Sequence, residues 1–279
     1  MNSFDLQYQK ILAKVMSEGI EEVNRRTGHR TRIIPGAYIE ISSGFPLLTL
    51  RRIPIRIFTA EMIWYIMGSR MPSEFLQKFT KIWDNFTNIN CVVTTAYGYR
   101  WRRHFGRDQL TDLIKLLKTD PSSRHGVVVT WDPSDDGLVS SLTKRKKKNI
   151  PCPYTYVVNI TGGKLNLFCV ARSTDVILGL PHDVGGFALL QRILAAYMGL
   201  KIGNFVFTTA HAHVYDNHYE AAYELLKRKS PDGEIELKAS KDWFKRSEKG
   251  DEKLVEEIVS KLEKQYRPLD PIKGLKIAL

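Results

Sequence analysis

Two stretches of this sequence are too apolar to lie at a surface. Ala60–Met67 reads as a helix that is apolar on nearly every side, and Phe187–Leu200 as a longer, strongly apolar helix. A helix that is hydrophobic all round is a buried one, so the fold must enclose these segments. Thr59 stands where it can cap the first. Glu61 is conspicuous there, because its own helix carries a carboxylate into the interior.

The remaining segments are amphipathic or extended. Tyr8, Ile11, Leu12, Val15 and Met16 follow helical spacing behind Ser3 and Asp5, which offer a cap. Asn24 to Arg32 reads as a polar, basic loop, followed by extended segments at Ile33–Ile41 and Leu47–Ile57. Gln109–Lys118 has Leu110, Leu113, Ile114 and Leu117 on one helical face and stops at Asp120-Pro121. Gly126–Trp131 reads as a strand. Tyr154–Ile160 and Lys164–Val170 are strands joined by Thr161-Gly162-Gly163, a hairpin signature. Phe205–Thr209 is a further strand and Asp216–Lys227 an amphipathic helix. Leu254, Val255, Ile258, Val259 and Leu262 return to helical spacing. No βαβ rhythm, internal repeat or Pro/Ser-rich linker appears. The expectation is one α/β domain over 1–279 with an antiparallel component, carrying a basic loop at 143–149 and a divergent C-terminal region at 239–279.

Composition narrows the class. The chain is 43% hydrophobic and 10% aromatic, enough for a packed core and against disorder. No apolar run approaches the roughly 18 residues of a membrane span, and the N-terminus lacks the pattern of a secretory signal. Cys91, Cys152 and Cys169 are odd in number and lack metal-ligand spacing, so a reducing cytoplasm is expected, without disulfides or zinc. Lys plus Arg is 42 against 30 Asp plus Glu, a formal charge of +12. This favours anionic ligands, or simply a solvated basic surface. The run Lys144-Arg145-Lys146-Lys147-Lys148 reads as a polyanion contact or a solvated loop.

Three places carry candidate chemistry. Cys152 lies between two prolines at the start of a strand, near basic residues that favour a thiolate, the nucleophilic form. Cys91 and Cys169 suit core filling. In Ala171–Asp183, Arg172 and Ser173 pair a forked cation with a hydroxyl donor, a phosphate-binding combination, and Asp175 and Asp183 share the same short loop. His211, His213 and Tyr215, with His218 beyond, form a third cluster. His-x-His invites a metal reading, but a convincing third ligand is missing and no metal is expected.

Taken in order, these places resemble the thymidylate synthases and their nucleotide-hydroxymethylase relatives over most of the chain. The resemblance runs from Arg26-Thr27-Gly28 through Gly44-Phe45-Pro46-Leu47-Leu48-Thr49, Ala60-Glu61-Met62-Ile63-Trp64 and Lys81-Ile82-Trp83-Asp84. It continues through Ala96-Tyr97-Gly98-Tyr99-Arg100-Trp101-Arg102 and Asp120-Pro121-Ser122-Ser123-Arg124. It ends with Pro151-Cys152, the Arg172–Asp183 segment and His213-Val214-Tyr215. The resemblance implies a bent, mixed or antiparallel sheet packed by helices, a sheet-to-sheet homodimer, and 5,10-methylenetetrahydrofolate as co-substrate. It implies that the Cys152 thiolate adds at C6 of a pyrimidine nucleotide and so makes C5 a nucleophile. Glu61 would organise proton transfers and a water, with burial raising its pKa, and Tyr97 would assist loss of the C5 proton. Arg26, Arg172 and Ser173 would hold the phosphate, joined by Arg124 from a second subunit. His213 and Tyr215 would bind the sugar hydroxyl. Arg51, Trp83 and Asp175 would lie against the folate, and Lys276-Ile277-Ala278-Leu279 would close as a flap. Arg26, Arg51, Arg52, Arg124 and Arg172 would then converge on the phosphate and the acidic folate tail.

The departures bear on the substrate. Asp183 stands where thymidylate synthases have Asn. Uracil offers an acceptor at O4 and a donor at N3; cytosine reverses both, and a protonated carboxyl matches it. Such an edge mismatch is worth roughly 1–3 kcal/mol or more. Pro153 replaces the His after the nucleophile, Ala171 replaces a Gln, His125 stands for a second phosphate-binding Arg, and Gly186 for a Ser. The leading expectation is a hydroxymethylase acting on dCMP or CMP. The alternatives are a thymidylate synthase converting dUMP to dTMP and a non-catalytic nucleotide or RNA binder.

Overall fold

The computed structural model describes residues 2–25, 27–137, 150–231 and 233–278. The basic run Lys144–Lys148 lies outside the described residues.

Helix α1 (Ser3–Glu18) buries Phe4, Tyr8, Leu12 and Val15 on one face, as their spacing requires. Its cap differs from the expected one: the Asn2 side chain accepts from the Phe4 N–H. Asp5 is instead fully buried, accepting from Thr49 N–H at 2.9 Å and Ser230 Oγ at 2.7 Å. It therefore ties α1 to two distant loops.

Strands β1 (Ile20–Val23) and β2 (Arg30–Ile41) form a hairpin, so the expected loop shrinks to the residues between them. The segment expected to be extended at Leu47–Ile57 is not a strand. It runs as irregular chain into helix α2 (Ile55–Met67), which starts behind Pro54. Pro fits that position because its fixed φ suits a helix start and its missing N–H costs nothing there. Thr59 lies inside α2, fully buried, and caps nothing. Gly68, at φ 73°, ends the helix in the left-handed conformation that glycine adopts without strain.

Next come a short turn of helix, α3 (Tyr97–Tyr99), a π-helical segment over Arg100–His104, and α4 (Gln109–Thr119). Strand β3 (Val127–Val129) is followed by β4 (Pro153–Thr161), β5 (Lys164–Ala171) and the two-residue β6 (Thr174–Asp175). Helix α5 (Gly179–Met198) begins eight residues before the apolar stretch that predicts it. Periodicity misses those residues because Pro181, His182, Asp183, Gly185 and Gly186 interrupt the apolar pattern while the backbone stays helical. Strand β7 (Lys201–Tyr215), helix α6 (Tyr219–Lys227), and helices α7 (Trp243–Glu248) and α8 (Glu252–Glu263) complete the chain. The sequence gives no forewarning of α7.

The strands form one mixed sheet in the order β1-β2-β7-β5-β4-β3, with β6 also paired to β7. The β5–β7 and β6–β7 pairs are parallel and the others antiparallel. Register shifts fall between Pro153 and Thr155 and between Leu165 and Leu167. The first directly follows Cys152, a place where a bulge re-aims side chains. Leu165, Leu167 and Cys169 of β5 and Phe205 and Phe207 of β7 face the helices, and the apolar side chains of α1, α2 and α5 close over them as one core. Cys169 thus fills the core as expected. Cys91 does not: it is exposed, at φ 56° in a turn. Among the described residues, no helix is long and apolar enough to cross a membrane.

Candidate active site

The site is built where α2, α3, the end of β5 and the start of α5 meet. Gly98 makes this meeting possible. A Cβ there would stand 2.1 Å from the Tyr65 carbonyl oxygen, so only glycine lets α3 lie against α2. Tyr97 is thereby stacked on Tyr65, with ring centroids 5.1 Å apart. A buried pair anchors the other side of this turn. The Arg100 guanidinium and the Asp136 carboxylate are both fully buried, and Arg100 Nη1 also donates to the Thr130 carbonyl at 2.8 Å.

Glu61 and Tyr65 lie four residues apart on α2 and so share a face. The Trp83 indole N–H donates to Glu61 Oε1 at 2.6 Å. The Trp83 ring also packs edge-on against Tyr65 and Tyr97. Burial pushes the Glu61 pKa up to about 7, with the Trp83 hydrogen bond opposing the rise. Glu61 is therefore poised near neutrality, where a group that both gives and takes protons works best. Burial likewise holds the Tyr97 hydroxyl protonated, well above the usual tyrosine range.

The Tyr97 hydroxyl oxygen accepts the Cys152 backbone N–H at 3.0 Å, which brings a phenol beside the thiol. Arg172 reaches the same place from the end of β5. Its Nε and Nη2 donate to the carbonyls of Pro151 and Ile150, each at 2.9 Å, and Nη2 lies 3.5 Å from Cys152 Sγ. A guanidinium at that distance stabilises negative charge on sulfur. The backbone hydrogen bond from Arg172 N–H to the Cys152 carbonyl, 2.8 Å, locks the two segments together.

Asp183 does not share a loop with Asp175. It lies in the first turns of α5, while Asp175 is on β6. Burial, reinforced by the carboxyls of Glu61 and Asp175, pushes the Asp183 pKa up to about 8. Its neighbour His182 packs edge-on against Phe58, and burial lowers its pKa to about 4 with help from Arg51, so the ring is neutral. Sequence reasoning missed His182 because it read this stretch as a loop. The signal was its place beside Asp183 at the head of an apolar helix.

Asp175 Oδ1 accepts the N–H groups of Ile177 and Leu178, at 2.8 and 3.3 Å. Burial raises its pKa, with His218 opposing. Arg51 is buried and donates to the Ile177 carbonyl at 2.6 Å, but its Nε finds no partner among the described residues. Strand β7 extends six residues beyond the expected end at Thr209. The rings of His211, His213 and Tyr215 follow one another along it, at 5.2 and 4.9 Å. Ser173 Oγ lies 3.4 Å from His213 Nδ1, and the His29 ring packs edge-on against Tyr215.

The expected convergence of arginines is only partial. Arg172 and Arg51 enter the site, whereas Arg52 is engaged with Glu263 of α8 at 3.1 Å. Arg124 is exposed on the loop before β3 and finds no partner among the described residues. Arg26 and Leu279 lie outside the described residues. Lys276 meets Asn217, whose Nδ2 lies 3.4 Å from its carbonyl oxygen, and Ala278 is buried. No group of three or more metal-ligating side chains occurs among the described residues.

A half-buried thiol beside Tyr97 and Arg172, in a site that also holds two carboxyls ionising near neutrality, suits covalent addition coupled to proton transfer. The family model described as Thymidylate synthase matches residues 6–268. The chain belongs to the thymidylate synthase family. Membership brings folate-dependent one-carbon transfer to a pyrimidine nucleotide, with methylenetetrahydrofolate as the family's one-carbon donor. The residues suit such a ligand: the buried, unpartnered Arg51 Nε calls for an acceptor, and Asp175 offers a carboxyl beside it.

Proposed function

We propose that this chain is a folate-dependent pyrimidine nucleotide hydroxymethyltransferase. Its substrate is a cytidine monophosphate, dCMP or CMP, converted to the 5-hydroxymethyl nucleotide. The observation that carries the reading is Asp183, a cleft carboxyl beside Glu61 whose pKa is pushed up to about 8. At neutral pH it is mainly protonated. One oxygen then donates to cytosine N3 and the other accepts from the N4 amine, whereas uracil would need the proton on the opposite oxygen.

In this reading the Cys152 thiolate, favoured by Arg172, adds to C6 and leaves C5 electron-rich. When bound, 5,10-methylenetetrahydrofolate supplies a one-carbon unit at the oxidation level of formaldehyde, held by Arg51, Trp83 and Asp175, with Leu279 closing the tail. The Tyr97 hydroxyl, kept protonated by burial, assists loss of the C5 proton by orienting the water that takes it. Glu61, near its pKa, takes a proton from the water that adds to the transferred carbon, and the electron pair so released expels the Cys152 thiolate from C6 and restores the C5–C6 double bond. Arg172, Ser173 and Arg26 hold the phosphate, and His213 and Tyr215 the sugar hydroxyl.

The same reading takes the protein as a sheet-to-sheet homodimer with Arg124 completing the partner's phosphate site. The support is the sheet face away from the helices. There Tyr38, Val127, Val129 and Phe168 are 51, 48, 37 and 39% exposed, and the register puts them on one surface. Contiguous exposed apolar surface of this kind marks interfaces.

The test is tritium release from C5-labelled dCMP, CMP and dUMP with methylenetetrahydrofolate, alongside product analysis. Release from a cytidylate, a 5-hydroxymethyl product and tetrahydrofolate are expected, all lost in Cys152→Ala. Turnover of dUMP alone with formation of dihydrofolate would make it a thymidylate synthase. Nucleotide or RNA binding with no release would make it a non-catalytic binder.

A further inference from the structure

His211 has no task in the reaction as described, yet its position is closely defined. Its Nδ1 lies 3.3 Å from Nδ1 of His213. The Ser173 hydroxyl oxygen lies 3.4 Å from that same His213 atom. An unprotonated imidazole nitrogen offers a single in-plane lone pair. In the tautomer that leaves His213 Nδ1 unprotonated, it can accept from His211 or from Ser173, but not well from both. Two protonated Nδ1 atoms cannot face each other at this separation, so one of the two rings must present an acceptor.

The outcome decides what Ser173 can do for an anion. A phosphate oxygen only accepts. If Ser173 spends its proton on His213, its oxygen turns lone pairs towards the phosphate and repels it. If His211 supplies the proton, Ser173 keeps its own for the phosphate, beside the Arg172 guanidinium. His213 is then fixed with its remaining proton on Nε2, able to donate to a sugar hydroxyl. The two imidazoles have no third metal-ligating side chain with them among the described residues, so a metal does not explain the pair.

We infer that His211 is a positioning residue that donates to His213 Nδ1 and so leaves the Ser173 hydroxyl proton to the nucleotide phosphate. This rests on the reading that Arg172 and Ser173 bind that phosphate.

The test is a double-mutant cycle on dCMP and dUMP binding, measured by calorimetry, with steady-state kinetics on whichever nucleotide turns over. His211→Leu removes the donor, and His211→Asn keeps an amide N–H near the Nδ1 position. His211→Leu should weaken nucleotide binding by about tenfold, the order expected for one hydrogen bond to a charged group. KM should rise with kcat nearly unchanged, and His211→Asn should recover most of the loss. In a Ser173→Ala background the His211→Leu effect should vanish, because the proton it protects is gone. A His211→Leu protein that binds as wild type does overturns the inference, as does an equal loss in the Ser173→Ala background. A wild type that binds neither nucleotide overturns the phosphate reading and the inference with it.

Discussion

Replacing Asp183 by Asn should make the protein more stable while removing its preference for cytosine. The Asp183 pKa rises from the ordinary 3.8 up to about 8, through burial first and the Glu61 and Asp175 carboxyls second. Between those values the folded chain holds a proton that the unfolded chain has released. By linkage, stability falls as pH climbs through that window and levels off above it. About four units at about 1.4 kcal/mol each set a ceiling near 5.5 kcal/mol. Asp183 keeps some access to the cleft, and solvent screening reduces the realised cost to about 1–3 kcal/mol. Asn does not ionise and escapes that cost. At about 2–4 °C per kcal/mol, Asp183→Asn should melt about 3–8 °C above wild type at pH 8 and close to it at pH 4. Scanning calorimetry from pH 4 to 9 reads this directly. The same proton controls substrate: kcat/KM for a cytidylate should fall about tenfold from pH 7 to pH 9 as Asp183 ionises, and the ratio of cytidylate to dUMP should drop in the variant. A variant that melts below wild type at pH 8, or a difference unchanged across the range, refutes the burial argument.

Trp83→Phe keeps the ring but removes the donor to Glu61. Because that bond holds the Glu61 pKa down, the kinetic limb belonging to Glu61 should move above about pH 7, and kcat should fall by about 10–100-fold in a pH–rate profile. Gly98→Ala forces a methyl against the Tyr65 backbone, so thermal melting should show a loss of several degrees and activity should collapse as Tyr97 is displaced. Phe168→Asp, on the exposed sheet face, should shift the protein to monomer in light scattering. If Arg124 acts in trans, mixing inactive Arg124→Ala and Cys152→Ala protomers should restore about a quarter of wild-type activity.

Much of the fold was legible because local patterns carry it. The hairpin at Thr161-Gly162-Gly163, the amphipathic faces of α1, α4 and α8, and the all-apolar α2 each announce themselves through periodicity and turn chemistry. The misreadings share a cause. Leu47–Ile57 alternates like a strand, but its backbone is held by the Asp5–Thr49 hydrogen bond and by Pro54, which begins a helix. Tertiary contact there overrides local preference. Residues 179–186 carry glycines, a proline and polar groups, so the first turns of α5 look like a loop. Packing against α2 keeps them helical and puts Asp183 beside Glu61.

The site residues themselves could be picked out along the chain, since a cysteine between prolines, an Arg-Ser pair and a lone carboxylate in an apolar helix are visible one by one. The sequence by itself determined which chemical groups the protein owns and which helices must be buried. Only the tertiary structure decided their working states. Trp83 is tied to Glu61, Tyr97 to the Cys152 backbone, and Ser173 to His213 across distances that no spacing encodes. The reason is physical: a pKa or a shared proton depends on desolvation and on neighbours within a few ångströms, and those neighbours come from segments far apart in sequence.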